Sequence, residues 1–154
     1  GYTSAPHTIE ISDLVFNRVY ARALAKNDRA LAGKVRAAYL DFTIDVTAFA
    51  ESASPKIFGR EIAQTLLLHA NDLNADGLDE LLTRYEARGY RFVTLEQAMA
   101  DPAYRTPDTL VSAYGPTWLW RWRTSLGLKV SFTGDPEVPA WVTELFNRSF
   151  PRRP

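Results

Sequence analysis

A continuous apolar run that ends in a histidine limits the choice of fold most strongly. Residues 63–70 read Ala-Gln-Thr-Leu-Leu-Leu-His-Ala, so that three leucines are followed at once by His69. A run of this length between polar segments is typical of a strand that is buried on both faces, as in parallel sheets. We therefore predict an α/β fold with His69 at the carboxyl end of one strand.

Two further segments read as strands. Residues 6–11 alternate polar and apolar side chains, as a half-buried strand does, and residues 90–95 also read as a strand. A helix is predicted over residues 75–88, with Asn74 as its N-cap and Gly89 at its C-cap. Because this helix lies between the apolar run and residues 90–95, the order strand, helix, strand predicts a parallel unit.

The remaining helices are predicted from apolar residues that recur every three or four positions. They are a helix from about residue 14 and a second that runs to about Glu51, followed by shorter ones over 96–100, 118–126 and 140–150. The first helix has its apolar face at Phe16, Tyr20 and Ala23, and the second at Leu31, Val35, Ala38, Phe42, Val46 and Phe49. Residues 52–61, which include Pro55 and Gly59, are predicted to form a loop. Residues 1–150 are interpreted as one domain and residues 151–154 as a tail.

Charge and composition exclude several classes of function. Eighteen basic residues balance eighteen acidic ones, so no net field favours nucleic acid. No stretch reaches the roughly 20 apolar residues that span a bilayer. Cysteine is absent, which removes thiol catalysis and thiolate metal sites. The two histidines, His7 and His69, are too few for a site built from several imidazoles, so we expect no metal bound by this chain alone.

His69 and Leu67 are the first candidate site residues. Active sites of parallel α/β folds lie at the carboxyl ends of strands, where His69 is predicted. The period of two in a strand places Leu67 on the same side, so that an apolar group flanks the imidazole. This pairing suits a proton donor beside a small apolar substrate group. The alternative is a strand-end histidine that is hydrogen-bonded to the backbone.

Asp13 is the second candidate, because it follows a short predicted strand and can meet His69 there. A carboxylate that accepts one ring N–H selects the tautomer of an imidazole and makes its other nitrogen more basic. The alternative is that Asp13 is the N-cap of the helix that follows. Both roles are compatible if Ser12 fills the cap.

Asn71 and Trp118 are candidate substrate contacts. Asn71 follows the predicted strand end, although Asn is also an ordinary capping residue. Trp118 opens the sequence Trp-Leu-Trp-Arg-Trp-Arg, and aromatic faces beside arginine are a common support for sugar rings. The alternative places Trp118 and Trp122 on one helical face that packs on the domain, with Arg121 and Arg123 in solvent.

Two blocks of the chain carry a family resemblance. The block Leu66-Leu67-Leu68-His69-Ala70-Asn71 is followed by the capped helix and by Gly89-Tyr90-Arg91-Phe92-Val93-Thr94-Leu95. These segments resemble the last conserved block of polysaccharide deacetylases with the NodB homology domain. Upstream, Glu10-Ile11-Ser12-Asp13-Leu14 resembles that family's Asp-x-x-Asp-Trp block, with Glu and Leu at its first and last positions. The resemblance covers about residues 2–143, and it implies the carboxyl-terminal half of a distorted (β/α) barrel with long helices and few parallel strands.

The resemblance also implies a metal-dependent hydrolase that removes acetyl groups from a glycan. In this family a divalent metal, often zinc, activates water, an Asp acts as base, and a His protonates the leaving group. Carried over by motif, His69 is the catalytic acid, Asp13 orients it, and Leu67 lines the pocket for the acetyl methyl group. The family's metal ligands and base lie in an Asp-Asp pair and a His-x-x-x-His, and neither block occurs in this sequence.

We therefore expect one part of an amide hydrolase that is inactive alone. Its expected partners are a missing amino-terminal half and an acetylated glycan, and the open strand edges of a half barrel are expected to promote self-association. Location in the periplasm or outside the cell is expected by analogy with the family. The alternative function is a non-catalytic glycan-binding or protein-interaction module derived from the same fold.

Overall fold

The computed structural model of the protein describes residues 4–149 and is mainly helical. Helical conformation accounts for 57% of it and strand for 1%. The helices are α1 Asp13–Ala25, α2 Arg29–Phe58, α3 Asp72–Glu86, α4 Leu95–Met99, α5 Trp118–Ser125 and α6 Ala140–Asn147. A single 3-10 turn, Pro102–Arg105, follows α4. The predicted tail, 151–154, and residue 150 at the predicted end of α6 lie outside the described residues.

The predicted α/β fold, half of a (β/α) barrel with parallel strands, is wrong for the described residues. Between residues 4 and 149 the extended pairing is one parallel bridge, which joins Ile9 and Leu66. Three backbone hydrogen bonds of 3.0 Å hold it: Thr65 O accepts from the N–H groups of Thr8 and Ile9, and Leu67 N–H donates to Ile9 O. One bridge is not a sheet, so the strand edges expected to promote self-association do not occur in this part of the chain.

The predicted strand over residues 90–95 does not form either. Residues 91–94 have no regular secondary structure, and α4 begins at Leu95. The side chains of Phe92 and Val93 are more than half exposed. A strand receives its hydrogen bonds from a neighbouring segment, so a strand-like pattern forms a sheet only where such a neighbour is present.

The described chain divides into two compact units. Unit 1 comprises residues 4–10, 46–67 and 92–135, and unit 2 comprises residues 11–45, 68–91 and 136–149. In unit 2, α1 packs on α3 and on α6. The ring of Phe16 lies 5.5 Å from that of Tyr39 and 5.4 Å from that of Phe42, which marks the centre of this core.

The core of unit 1 is aromatic and centres on Trp122, which is fully buried. The indole ring of Trp122 lies 5.3 Å from the ring of Tyr104, 5.6 Å from that of Phe58 and 5.8 Å from that of Trp118. Edge-to-face and tilted arrangements at these distances are favourable for aromatic side chains. The prediction that Trp122 faces the core of its domain is confirmed.

Helix α2 continues past the predicted end at Glu51 to Phe58, and therefore through Pro55. A proline inside a helix removes the N–H that would bond to the carbonyl four residues earlier. Two serine hydroxyls contribute extra bonds to nearby carbonyls, from Ser54 to Ala50 O at 2.9 Å and from Ser52 to Phe49 O at 2.7 Å. The predicted loop is wrong over residues 52–58, because Pro55 removes one hydrogen bond near the end of a long helix and does not end it.

Helix α3 begins three residues earlier than predicted, at Asp72 rather than at residue 75. Its N-cap is Asn71, whose side-chain oxygen accepts the N–H of Asn74 at 2.9 Å. Asn74 is thus inside the first turn, and its side chain is buried. The side chain of Asn74, which was predicted to cap the helix, therefore lies in the interior of unit 2.

Candidate active site

A buried carboxylate and a partly exposed histidine meet in unit 2. Asp13 is 1% exposed, whereas the His69 side chain is 41% exposed. Oδ1 of Asp13 lies 2.8 Å from Nδ1 of His69, and Oδ2 accepts the backbone N–H of His69, also at 2.8 Å. The two bonds hold the imidazole and its own backbone to one carboxylate, so the predicted pairing of His69 with Asp13 is present.

Two asparagine amides complete the surroundings of Asp13. Nδ2 of Asn74 donates to Oδ2 at 2.6 Å, and Nδ2 of Asn71 donates to the same oxygen at 3.1 Å. Together with the backbone N–H of His69, Oδ2 therefore faces three N–H donors. A carboxylate has enough lone pairs to accept from all of these groups. We call Asp13 together with its donors from His69, Asn71 and Asn74 the carboxylate cage, in which Asp13 acts as the acceptor.

This arrangement selects one tautomer of His69. Because Oδ1 of Asp13 is an acceptor, Nδ1 carries a hydrogen, and Nε2 of the neutral ring is then unprotonated. Within residues 4–149, Nε2 has no hydrogen-bond partner. Nε2 is therefore the atom of this site that can accept a proton and return it.

Tyr39 orients Asn74, which is one of the donors to Asp13. Its hydroxyl, on a side chain that is 1% exposed, donates a short hydrogen bond to Oδ1 of Asn74. That contact determines which end of the amide faces the carboxylate: Oδ1 turns to Tyr39, and Nδ2 turns to Asp13. Burial, and secondly the charge of Asp13, raises the pKa of Tyr39, so its hydroxyl remains a donor.

Helix ends position the residues of this site. Asp13 is the first residue of α1 and follows Ser12, whose φ of 51° is left-handed and unfavourable for a residue with a side chain. Ser12 occupies the N-cap position, so the alternative in which Asp13 is the N-cap is wrong. The start of α3 is attached to α1 by a second contact, in which Oδ1 of Asn17 accepts the N–H of Leu73 at 3.0 Å.

Both polar side-chain atoms of Asn71 form hydrogen bonds within the protein. Its oxygen caps α3 by accepting from Asn74, and its nitrogen donates to Asp13. These two bonds favour the capping alternative for Asn71 over the predicted contact to a ligand. They also make Asn71 a part of the carboxylate cage.

No family model, curated protein or solved structure matches this chain. The resemblance to polysaccharide deacetylases therefore stays a prediction from the sequence. The geometry of Asp13 and His69 is independent of that resemblance, because it comes from distances between atoms. Among residues 4–149, no helix is both long enough and apolar enough to cross a bilayer.

The other two predicted substrate contacts, Leu67 and Trp118, belong to unit 1. Leu67 is half-buried, and its N–H donates to Ile9 O in the parallel bridge. Trp118 is the first residue of α5 and is half-buried, and its N–H donates to His7 O at 2.9 Å. Its ring packs on the buried Trp122, which agrees with the alternative that gives Trp118 a packing role.

The arginines of α5 are half-buried and bonded within unit 1, which differs from the alternative that placed them in solvent. Arg121 bonds to the carboxylate of Asp108 at 2.5 and 2.9 Å. Arg123 donates to Val130 O at 2.5 Å and lies over the ring of Trp120, 5.3 Å from its centroid. These contacts join α5 to the residues that precede and follow it in the chain.

Tyr39 is the site residue that sequence reasoning missed. It lies four residues after Val35 and three before Phe42, both of which belong to the apolar stripe predicted for α2. A tyrosine on a buried stripe has a hydroxyl that needs a hydrogen-bond partner, and this was the available signal. The identity of that partner, Asn74 on another helix, was not in the pattern.

Proposed function

We propose that this chain supplies the acid–base histidine of a metal-dependent carbohydrate deacetylase. The Asp13–His69 pair carries the proposal, because a 2.8 Å contact at Nδ1 leaves Nε2 as the proton-transfer atom of a partly exposed ring. A histidine held in this way is a suitable general acid for a leaving amine or alkoxide. The family resemblance contributes the reaction class and the substrate class, an acetylated glycan. It also suggests a site of action in the periplasm or outside the cell.

In the proposed step, His69 acts in its charged form. Nε2–H gives its proton to the leaving nitrogen of an N-acetyl group while the carbon–nitrogen bond breaks and its electron pair passes to that nitrogen. The histidine is left neutral, with Nδ1–H still bonded to Asp13. Asp13 accepts hydrogen bonds throughout and takes no proton, as in other carboxylate–histidine pairs.

The residues of this chain do not fit the metal of such an enzyme. There are two histidines, and Nδ1 of His69 is engaged by Asp13. Across residues 4–149, no group of three or more His, Cys, Asp or Glu side chains is placed to hold a metal ion. In this proposal, metal binding and water activation belong to a segment with the family's Asp-Asp and His-x-x-x-His blocks. The 154-residue chain is accordingly proposed to have no deacetylase activity alone.

The test joins this chain to a segment that carries those two blocks, giving what we call the joined protein. Acetate release is measured with Zn²⁺ on an N-acetylglucosamine oligomer and on an O-acetylated xylan. His69→Ala is expected to lower kcat about 100- to 10,000-fold, which corresponds to about 3 to 5 kcal/mol of activation free energy. The matched control is His7→Ala, which replaces the other histidine and should leave kcat unchanged.

Three results would contradict the proposal. An unchanged kcat in His69→Ala would remove His69 from the mechanism. Metal-dependent acetate release by the 154-residue chain alone would contradict the division of roles. Glycan binding without acetate release by the joined protein would favour the non-catalytic module.

A further inference from the structure

Asn74 makes contacts that a role in helix capping does not require. Its Nδ2 donates to Asp13 Oδ2 at 2.6 Å and to His69 O at 2.8 Å. One amide group therefore bridges the carboxylate and the backbone of the histidine that this carboxylate holds. We infer that Asn74, oriented by Tyr39, is a positioning residue that keeps His69 in its Nδ1–H tautomer. This inference rests on the proposed acid–base role of His69.

The chemistry of the amide suits this role. Nδ2 carries two hydrogens, so it can donate to the carboxylate and to the carbonyl at the same time. A flipped amide would place Oδ1 against both of these oxygens, and the hydroxyl of Tyr39 opposes that flip by donating to Oδ1. Asn74 is 8% exposed, so few water molecules can replace these contacts.

The expected effect of losing Asn74 follows from the other bonds of Asp13. Oδ2 would keep the N–H of His69 and the longer contact to Asn71, but it would lose its shortest contact. The carboxylate could then rotate away from Nδ1 of His69, since fewer donors define its plane. The ring would sample both neutral tautomers, and the proton on Nδ1 would exchange more readily with water.

A structural role for Asn74 makes a different prediction. The N-cap of α3 is Asn71, whose side-chain oxygen accepts a hydrogen bond from the backbone N–H of Asn74. This bond does not depend on the side chain of Asn74. If the Asn74 amide only stabilised the fold, its loss would lower the free energy of unfolding without changing the tautomer of His69. The tautomer therefore distinguishes the two roles.

The experiment uses the 154-residue chain labelled with ¹⁵N-histidine. Long-range ¹H–¹⁵N correlation spectra distinguish protonated from unprotonated ring nitrogens, and His7→Gln assigns the two histidines. The variants are Asn74→Ala and Tyr39→Phe. The matched controls are Asp76→Ala and Tyr20→Phe, because the Tyr20 hydroxyl donates to Asp76 on the same helix as Asn74, at 2.7 Å, outside the cage.

We expect an Nδ1–H pattern for His69 in the unsubstituted chain and in both controls. In Asn74→Ala both ring nitrogens of His69 should move toward tautomer-averaged positions, and Tyr39→Phe should give a smaller shift in the same direction. An unchanged Nδ1–H pattern in both folded variants would overturn the inference. If Asn74→Ala does not fold, Tyr39→Phe decides alone, because it removes a single hydroxyl.

Activity of the joined protein separates this inference from the proposed function. Asn74→Ala should lower kcat about 10- to 100-fold, by analogy with the loss of an outer hydrogen-bond partner behind a metal-ligating histidine. If His69→Ala leaves kcat unchanged while Asn74→Ala alters the tautomer, the proposed function fails and the positioning role stands. If His69→Ala abolishes activity and Asn74→Ala alters neither tautomer nor kcat, the positioning role fails alone.

Discussion

Asp13 and His69 are 56 positions apart in the chain and are joined by two hydrogen bonds of 2.8 Å, one to the ring and one to the backbone. The carboxylate is buried, and the ring that it holds is partly exposed. A buried acceptor of this kind limits the rotation of the imidazole and leaves one nitrogen for proton transfer. We therefore expect unit 2 to be sensitive to changes at Asp13.

Replacement of Asp13 should destabilise the protein strongly. Asp13→Ala leaves the ring N–H of His69 and the amides of Asn71 and Asn74 without this acceptor. Because several donors lose a partner at once, we expect a loss of about 3 to 5 kcal/mol in the free energy of unfolding. Asp13→Asn keeps the shape but opposes donor to donor, with an expected loss of about 1 to 3 kcal/mol. Urea unfolding measures both. Asp45→Asn, at an exposed position, is the control, and a loss at Asp13 no larger than at Asp45 would contradict the cage.

The ion pair between Arg60 and Asp101 in unit 1 should make the protein less stable at acidic pH. Hydrogen bonds from the Arg60 guanidinium, at 2.5 and 2.8 Å, are the main cause that lowers the pKa of Asp101 from 3.8 to about 2. Because the folded pKa is the lower one, the stabilisation is present above about pH 4 and is lost as the pH falls through about 2. Asp101→Asn should remove this part of the pH dependence of the urea midpoint. An identical dependence in variant and parent would count against the pair.

Tyr39 should contribute to the loss of protein stability at alkaline pH. Its pKa is raised above the usual 10, mainly by burial, so the unfolded chain releases this proton at a lower pH than the folded chain does. The stabilisation is complete below about pH 10 and is lost as the pH rises toward the folded pKa. Tyr39→Phe should therefore reduce the fall in the free energy of unfolding above about pH 10. Tyr114→Phe, at an 85% exposed position, should keep the parental slope, and an equal slope for Tyr39→Phe would refute this prediction.

Trp122 should be the most costly aromatic residue to remove from unit 1. Trp122→Ala empties a site lined by other rings, and we expect a loss of about 3 to 5 kcal/mol in the free energy of unfolding. Trp122→Phe should lose less, because it keeps an aromatic ring in the site and gives up only an indole N–H that is buried without a hydrogen-bond partner among residues 4–149. Val111→Ala, at an almost fully exposed position, is the control for urea unfolding. Equal losses for Phe and Ala at residue 122 would contradict the view that ring packing holds this core together.

The helices were the part of the fold that could be predicted from local pattern. The apolar spacing of Phe16, Tyr20 and Ala23 predicted the buried face of α1, and α5 occupies the segment where a helix was expected. A helix satisfies its backbone hydrogen bonds within itself, so its periodicity is sufficient evidence for it. Strands lack this property: segments 6–11 and 63–70 share one bridge instead of a sheet, and segment 90–95 forms no strand.

The sequence by itself determined that His69 follows an apolar run, that Asp13 lies at the start of a helix, and that the spacing of Tyr39 matches the apolar stripe of α2. Only the tertiary structure decided that these residues form one hydrogen-bonded cage, with Asn74 bonded to Asp13 at a separation of 61 positions and to Tyr39 at a separation of 35. The reason is physical: spacing along a helix determines which face a side chain occupies, whereas a contact between helices depends on how their backbones pack. A shift of three residues in the start of α3 was enough to turn Asn74 from a predicted cap into the donor that holds the carboxylate.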